Sequence, residues 1–401
     1  MRSTALSNAH STWDEVSAAQ VKASQEEPRP LEEAEPDYSY AQSLQPLKYL
    51  SESHLQELLG HAETVLAFRD QCLFEAGTYD HQFIYLLHGE LELQYADGRT
   101  ETLVGGDQLK PIAHVQPRPC RAIAKSDCSI LKVDAEYLDK MLTWSQVAEY
   151  LLLDISYQRD LDEDAEWMMT ILRSNLFFKV PPTNASIIFD RMKSKVVQAG
   201  DAILRQGEIG DNCYFIKQGE AEVKQSPDGL RPPAWIADIG PGRCFGEDAL
   251  VNETVRNASV IMKTDGVLMY ISKRDFLKLL KEPKVELLES SQMPEALAEG
   301  TICIDVRTEE EYAEGHIERA VNIPLNLLRI KTRLLDQTTP YVVYCDNGRR
   351  SKAAAHLLKQ AKFKAIALNG GVRHLKSSGN VELQVGVQDY VLRDGKVVQG
   401  S

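Results

Sequence analysis

Two short stretches carry residue types and spacings suited to chemistry. The first is Tyr344-Cys345-Asp346-Asn347-Gly348-Arg349-Arg350-Ser351, a cysteine set just ahead of helix-forming sequence. A loop closing onto a helix N-terminus gathers backbone N–H groups around the sulfur. The helix dipole and the arginines Arg349 and Arg350 favour thiolate over thiol, and the thiolate is the nucleophile. The second is Phe245-Gly246-Glu247-Asp248-Ala249-Leu250, followed by Arg256-Asn257-Ala258-Ser259-Val260. Glycine lets the backbone approach a ligand closely. A short helix starting there points free N–H groups at an anion. Arg256 is placed to grip phosphate oxygens as a bidentate pair, and Glu247 to accept hydrogen bonds from ribose hydroxyls.

The elements around these stretches can be read from periodicity. Thr301 to Val306 is a strand ending in an acid, and Tyr341-Val342-Val343-Tyr344 is a short buried strand leading into the cysteine loop. Ser351 to Leu358 is a helix with Ala354, Leu357, Leu358 and Ala361 on one face. Another strand, Ala365-Ile366-Ala367-Leu368, follows, and strand–helix–strand order predicts an α/β layer with a parallel sheet. Asp394-Gly395 between two β-rich runs predicts a C-terminal hairpin or tail over 387–401.

Ahead of this third lies an internal repeat. Gly77 to Gly89 and Gly207 to Gly219 have equal spacing, and Phe83-Ile84-Tyr85-Leu86-Leu87-His88-Gly89-Glu90 parallels Cys213-Tyr214-Phe215-Ile216-Lys217-Gln218-Gly219-Glu220. β-rich runs separated by glycine turns predict two small antiparallel barrels or jelly rolls arising by duplication. Each copy ends in a helix: Leu138, Met141, Leu142, Ser145, Ala148, Leu152 and Ile155 form one stripe, and Phe276, Leu279 and Leu280 another that stops at Pro283. Aligning Gly106 with Gly242 puts Lys110-Pro111 where Gly246-Glu247 stand, and Cys120 at the Arg256 position. The first copy is therefore expected to keep the β-roll and lack the anion cassette. Residues 1–45, rich in Ser, Ala, Glu and Pro, read as a disordered tail.

Composition narrows the class of function. The chain has 401 residues, enough for two or three domains, and 43% hydrophobic residues, as soluble globular protein does. No apolar run approaches a membrane span. A net charge of −14 disfavours nucleic acid as a partner. Seven cysteines without a CxxC pair suggest neither a disulfide framework nor a metal site, and point to a reducing cytoplasm.

The second repeat resembles the cyclic nucleotide-binding domain family, of the Crp/Fnr and protein kinase A regulatory-subunit type. The match comprises Gly200-Asp201, Gln206-Gly207-Glu208, Tyr214-Phe215-Ile216, Gly219-Glu220, Gly242 and the cassette from Phe245 to Val260. The resemblance implies a β-roll with flanking helices, with Glu247 on the ribose 2′-hydroxyl and Arg256 on the cyclic phosphate. Gly246, Asp248, Ala249 and Asn257 complete the implied site, and cyclic AMP or cyclic GMP is the implied regulatory ligand. Asp248, Val255 and Asn257 depart from the family pattern, and an inward-facing Asp248 would weaken phosphate binding.

The cysteine stretch resembles the active-site loop of the rhodanese sulfurtransferases. Asp305-Val306-Arg307, Gly315-His316-Ile317 with Ala320, Asn322, Ile323 and Pro324, and Leu368, Gly370 and Gly371 are further matches; Leu375 departs from the family's tryptophan. The resemblance implies that Cys345 takes a sulfane sulfur from a small-molecule donor and holds it as a persulfide. It then passes the sulfur to a thiol or cyanide-like acceptor. Asp346, Asn347, Gly348 and Arg349 complete the loop, Arg350 stabilises the persulfide anion, and Arg349 attracts an anionic donor. His316 is expected to be structural, and Cys303 buried and inert.

The expected organisation is a tail over 1–45, a degenerate cyclic nucleotide-binding-like domain over 46–165, a more complete one over 166–283, a rhodanese domain over 284–386, and the C-terminal residues 387–401. The expected function is a cyclic-nucleotide-sensing sulfurtransferase. Its rival is a non-enzymatic signalling or scaffold protein that binds a cyclic nucleotide and uses the rhodanese domain for contacts. A transcription regulator is disfavoured by the acidic charge and by the lack of a helix-turn-helix segment after the second repeat.

Overall fold

The computed structural model describes residues 38–158, 164–172, 180–227, 231–378, 382–387, 390–393 and 395–399. Of the expected tail, residues 1–37 lie outside them. From Tyr38 the chain is packed: Ala41, Leu44 and Leu47 are fully buried. The folded chain thus begins ahead of the boundary expected at 46.

The described chain forms two compact units. One holds residues 63–80 and 84–132, and the other holds 38–62, 81–83 and 133 onward. The first unit is the first β-roll. One of its sheets orders Cys72–Phe74, Cys120–Ala124, Glu90–Tyr95 and Thr100–Val104, all antiparallel. Glu63–Ala67 pairs antiparallel with Cys128–Asp134 in the other. Alternating inward residues such as Leu91, Leu93, Ala122 and Ala124 fill the space between the sheets.

The second unit contains the other β-roll and the α/β layer. Its roll has one sheet in the order Cys244–Phe245, Asn212–Gln218, Gly266–Ser272 and Lys193–Val197. The other runs Ala234–Ile239, Ala221–Gln225, Ser259–Met262 and Ala202–Leu204. The α/β sheet orders Leu287–Leu288, Lys364–Leu368, Pro340–Tyr344, Ile302–Asp305 and Val321–Asn322, every pair parallel. Tyr341 to Tyr344 are all fully buried, as an unbroken apolar strand in a two-sided parallel sheet must be. The helix Arg349–Gln360 covers one face with Ala354, Leu357 and Leu358, while Ala361 is its half-buried C-cap. At the C-terminus, Tyr390–Arg393 pairs antiparallel with Lys396–Gln399, and Leu392 is buried in the main core of this unit. Asp394 lies outside the described residues.

The longest element among the described residues is the helix Ala135–Gln158. Leu138, Met141, Leu142, Ser145 and Ala148 of its expected stripe are buried; the side chain of Ile155 lies outside the described residues. Ser145 sits on an apolar stripe because its hydroxyl is 2.7 Å from His54 Nδ1 and accepts the Ser51 N–H at 3.1 Å. The helix packs on Leu325–Leu327, on Leu328–Lys331 and on Arg349–Gln360. Trp144, Val147 and Leu151 thereby join one core with Leu325, Leu328, Leu358 and Phe276. Among the described residues, Trp144 is the largest fully buried side chain. Trp144→Ala is expected to cost about 3–5 kcal/mol through lost burial and a residual cavity. Urea unfolding followed by far-ultraviolet circular dichroism checks this, and a loss below about 1 kcal/mol would contradict it.

Candidate functional site

Cys345 leaves the strand Pro340–Tyr344, and Gly348, in the left-handed region, caps the helix Arg349–Gln360. The sulfur accepts the Gly348 N–H at 3.1 Å and the Ser351 N–H at 3.4 Å, and lies 3.6 Å from Ser351 Oγ. Asn347 Oδ1 accepts the Arg349 N–H at 3.0 Å. From the other side, Val372 N–H donates to the Cys345 carbonyl and Arg373 N–H to the Asp346 carbonyl, while Arg373 Nε lies 2.6 Å from Asp346 Oδ2. Gly371 makes this possible: it has φ +59°, and a Cβ there would stand 2.4 Å from the Cys345 carbonyl oxygen.

The electrostatics reverse the thiolate expectation. Cys345 is fully buried; burial pushes its thiol above the ordinary value and Asp139 pushes further, with Arg350 and the Ser351 groups only partly opposing. Arg350 spends its fork elsewhere. Nη1 and Nη2 each lie 2.7 Å from Glu311, and Nε lies 3.1 Å from Asp139. Arg349 is likewise paired, 3.2 Å from Glu136 and 3.4 Å from Asp139. The two arginines therefore hold carboxylates, which corrects the reading of both as groups turned toward sulfur or donor. Burial alone would raise the Glu311 carboxyl, but Arg350 draws it down to about 2.

Sequence reasoning missed Glu136, Asp139, Glu311 and Arg373. The spacing Thr308 to Glu311 did carry a signal: it is a capping box for the helix Glu309–Glu314. His316 is fully buried, its Nδ1 2.9 Å from the Tyr312 carbonyl and its ring stacked on Tyr312. Cys303 is buried and its thiol is pushed up to about 12 by burial, with Asp305 adding to it. Cys213 and Cys244, 31 residues apart in sequence, bring their sulfurs to 3.3 Å. Among the described residues, no group of three or more His, Cys, Asp or Glu side chains is arranged to hold a metal ion.

The cassette of the second roll is built around a buried arginine. Arg256, 3% exposed, donates from Nη1 to the Gly246 carbonyl at 2.5 Å and from Nη2 to the Asn212 carbonyl at 2.6 Å. A Cβ on Gly246, whose φ is +86°, would meet Arg256 Nη1 at 2.7 Å, so only glycine fits. Gly246 caps the short helix Glu247–Val251; Ala249 is buried in it, and Glu247 Oε2 is 3.7 Å from the Cys244 sulfur. Asp248 and Asn257 are exposed, and the Asn257 carbonyl accepts a bond from Gln225.

The first roll keeps an arginine that the glycine alignment hid. Gly77 N–H bonds the Arg118 carbonyl and Arg118 N–H the Thr78 carbonyl; Gly207 with Arg256, and Arg256 with Glu208, do the same in the second roll. Arg118, not Cys120, thus occupies the Arg256 position. The intervening loop is shorter in the first copy, which shifts the linear alignment. Arg118 is buried against the Asp80 carboxylate, with Nη2 2.8 Å from Oδ1 and Nε 3.1 Å from Oδ2. It also donates to the Ile112 and Ala113 carbonyls.

The Arg350–Glu311 pair has a pH signature. Because the folded carboxyl is held near 2, its stabilisation is present above about 4.5 and is lost as pH falls through about 2. Glu311→Gln is expected to cost about 3 kcal/mol at pH 7 and about 1 kcal/mol at pH 3. Urea midpoints of both proteins at the two pH values test this; a pH-independent gap would contradict it.

Comparison with known proteins gives a consistent assignment. The family described as "Cyclic nucleotide-binding domain" matches residues 68–143 and 194–282, and "Rhodanese-like domain" matches residues 289–378. The chain is 36% identical to a cAMP-dependent protein kinase regulatory subunit of Schizosaccharomyces pombe, over 33% of this chain and 32% of that one. It is 21% identical to the cGMP-dependent protein kinase egl-4 of Caenorhabditis elegans, over 86% of this chain and 42% of that one. The chain thus spans less than half the length of these curated relatives. Among solved structures, the regulatory domain of Toxoplasma gondii PKA with cAMP aligns at TM-score 0.27 and 17% identity, covering 66% of this chain and 94% of that one. The chain carries two cyclic nucleotide-binding domains followed by a rhodanese-like domain.

Proposed function

We propose that this chain is a sulfurtransferase that carries sulfane sulfur on Cys345 and binds a cyclic nucleotide at the second β-roll as a regulatory ligand. The observation that carries the sulfur reading is the Cys345 sulfur held 3.1 Å and 3.4 Å from the N–H groups of Gly348 and Ser351 at a helix N-terminus. That arrangement stabilises an anion at or beyond Sγ. With thiosulfate as donor, the Cys345 thiolate attacks the outer sulfur, the S–S bond breaks and sulfite leaves with its electron pair. An acceptor thiolate or cyanide then attacks the outer sulfur of the persulfide and Cys345 leaves as thiolate. Arg350 acts by holding the loop to Glu311 and Asp139.

The nucleotide reading rests on Arg256. Its hydrogen-bond partners are carbonyls, and the one carboxylate paired with it, Asp211 at 3.6 Å, is exposed to solvent, so much of its field is retained for a cyclic phosphate. Glu247 stands at the helix start to accept ribose hydroxyls. In the first roll the Asp80 carboxylate already meets Arg118, so nucleotide is assigned to the second roll alone.

A second reading is favoured by one observation. Cys345 is fully buried and both loop arginines are ion-paired, as suits a rhodanese-like domain used for contacts. Mass spectrometry after thiosulfate treatment separates the two. The sulfurtransferase gains one sulfur, about 32 mass units, on the Cys345 peptide, and Cys345→Ser abolishes thiosulfate:cyanide transfer while preserving the fold. Transfer retained in Cys345→Ser, or no added sulfur on the native protein from either thiosulfate or an organic persulfide donor, would exclude the enzymatic reading. For the nucleotide site, cyclic AMP or cyclic GMP at 100 times its dissociation constant stabilises by about 2.7 kcal/mol. Arg256→Ala should remove that gain in a thermal melt, and no shift with millimolar nucleotide would contradict the assignment.

A further inference from the structure

The sulfur loop is faced by an element outside the rhodanese-like segment. Glu136 and Asp139 stand one turn apart on the helix Ala135–Gln158, hence on one side of it. Glu136 reaches Arg349 at 3.2 Å and Arg373 at 3.4 Å. Asp139 reaches Arg350 at 3.1 Å and Arg349 at 3.4 Å. Among the described residues, these three arginines are ion-paired around the Cys345 loop, and Lys140 lies within electrostatic reach of Arg349.

The two carboxylates are held there by the fold. Trp144, Val147 and Leu151 lock the helix into the core, and Glu149 and Asp154 further along it bond Asn326 and Arg329. Asp139 is 5% exposed, and a buried aspartate is retained only where its charge is met. With Glu311 on Arg350 and Asp346 on Arg373, three guanidinium groups face four carboxylates. A cationic mouth would draw in a dianion; this one has no net positive charge to do so.

Resting on the sulfurtransferase reading above, we propose that Glu136 and Asp139 are specificity-determining residues that select uncharged or cationic persulfide donors over small anionic donors such as thiosulfate. The favoured donor is R–S–SH with R neutral or carrying an amine. The Cys345 thiolate bonds to the outer sulfur, the donor S–S bond breaks, and R–S⁻ leaves with the electron pair. The persulfide proton stays on the transferred sulfur, and no external oxidant or reductant enters.

The test uses the full chain and two reagents of similar size, iodoacetate (anionic) and iodoacetamide (neutral), with modification at Cys345 followed by peptide mass spectrometry. This needs no sulfur transfer, so it is independent of the reading beneath it. The iodoacetate-to-iodoacetamide rate ratio is expected to rise about 3- to 10-fold in Glu136→Gln and further in Glu136→Lys, by removal or reversal of one charge near the path. The rise should shrink at high salt. Asp139→Asn should act in the same direction. Glu136 is 54% exposed and tolerates exchange if Asp139→Asn fails to fold. Glu149→Gln, on the same helix but bonded to Asn326, should leave the ratio unchanged. An unchanged ratio in folded Glu136→Gln and Glu136→Lys, an equal rise in Glu149→Gln, or no modification of Cys345 by either reagent in any variant would overturn the inference. In parallel, persulfide formation is compared for thiosulfate, a dianion, and for the persulfide of 2-mercaptoethanol, whose organic group is uncharged and whose reactive form is R–S–SH. Selectivity shifting toward thiosulfate in the Glu136 variants supports the inference. A shifted alkylation ratio with no persulfide from either donor in any variant would overturn the sulfurtransferase reading instead.

Discussion

Arg350 carries a full charge inside the protein, 1% exposed, and a guanidinium there is tolerable only when its donors and its charge are both met. Two carboxylates do this, and each ties down a different part of the chain. Glu311 belongs to the capping-box helix Glu309–Glu314, so its bidentate bond joins the sulfur loop to the segment after the strand Ile302–Asp305. Asp139 belongs to the helix Ala135–Gln158, so its bond joins the same loop to an element more than two hundred residues upstream. The residue expected to serve the sulfur directly is therefore the fastening point of the loop. The sulfur is left to the N–H groups of Gly348 and Ser351, whose positions follow from that fastening.

Three of the buried arginines, Arg118, Arg256 and Arg350, apply one rule with different consequences. A carbonyl satisfies guanidinium hydrogen bonds but contributes only a dipole, whereas a carboxylate also cancels the charge. Arg256 has the carbonyls of Gly246 and Asn212 and only the exposed Asp211 at 3.6 Å, so its field persists. Arg118 has Asp80 in bidentate contact, and the first β-roll keeps the architecture while its anion attraction is consumed internally. Asp80 stands at the position of Gly210, which in the second roll is glycine pressed against Arg256. One added carboxylate separates the two copies electrostatically.

Local pattern made much of this legible. The parallel sheet, the helix after Cys345, the long helix and its stripe all follow from periodicity within a few turns of chain, and the structure has them as Pro340–Tyr344, Arg349–Gln360 and Ala135–Gln158. The cassette was legible because Gly246, Glu247 and Arg256 lie within one short stretch. Arg118 was not, because the shorter loop before it moves the residue out of register, and only the matching hydrogen bonds of Gly77 and Gly207 restore the equivalence. The thiolate expectation failed for a different reason. It counted Arg349 and Arg350, which are adjacent in sequence, and could not count Glu136, Asp139 and Glu311, which are adjacent only in space. Burial, the largest influence on the Cys345 thiol, is likewise a property of the packed chain.

A raised thiol value does not by itself oppose sulfur transfer. Thiolate nucleophilicity rises with basicity, so a sulfur that ionises seldom attacks more strongly when it does. Burial also removes competing water, and the N–H groups that hold Sγ gain strength in a low-dielectric setting. The same burial places Cys345 against groups from distant parts of the chain. The helix carrying Glu136 and Asp139 is ion-paired to the Cys345 loop, and it is tied to the core as well. Displacing it separates Asp139 from Arg350 and Glu136 from Arg349, and disturbs the core that holds Trp144 with Leu325 and Leu328. Breaking a buried charge pair costs several kcal/mol. The carboxylates that set the charge around the sulfur and the core that seats this helix are thus fixed together.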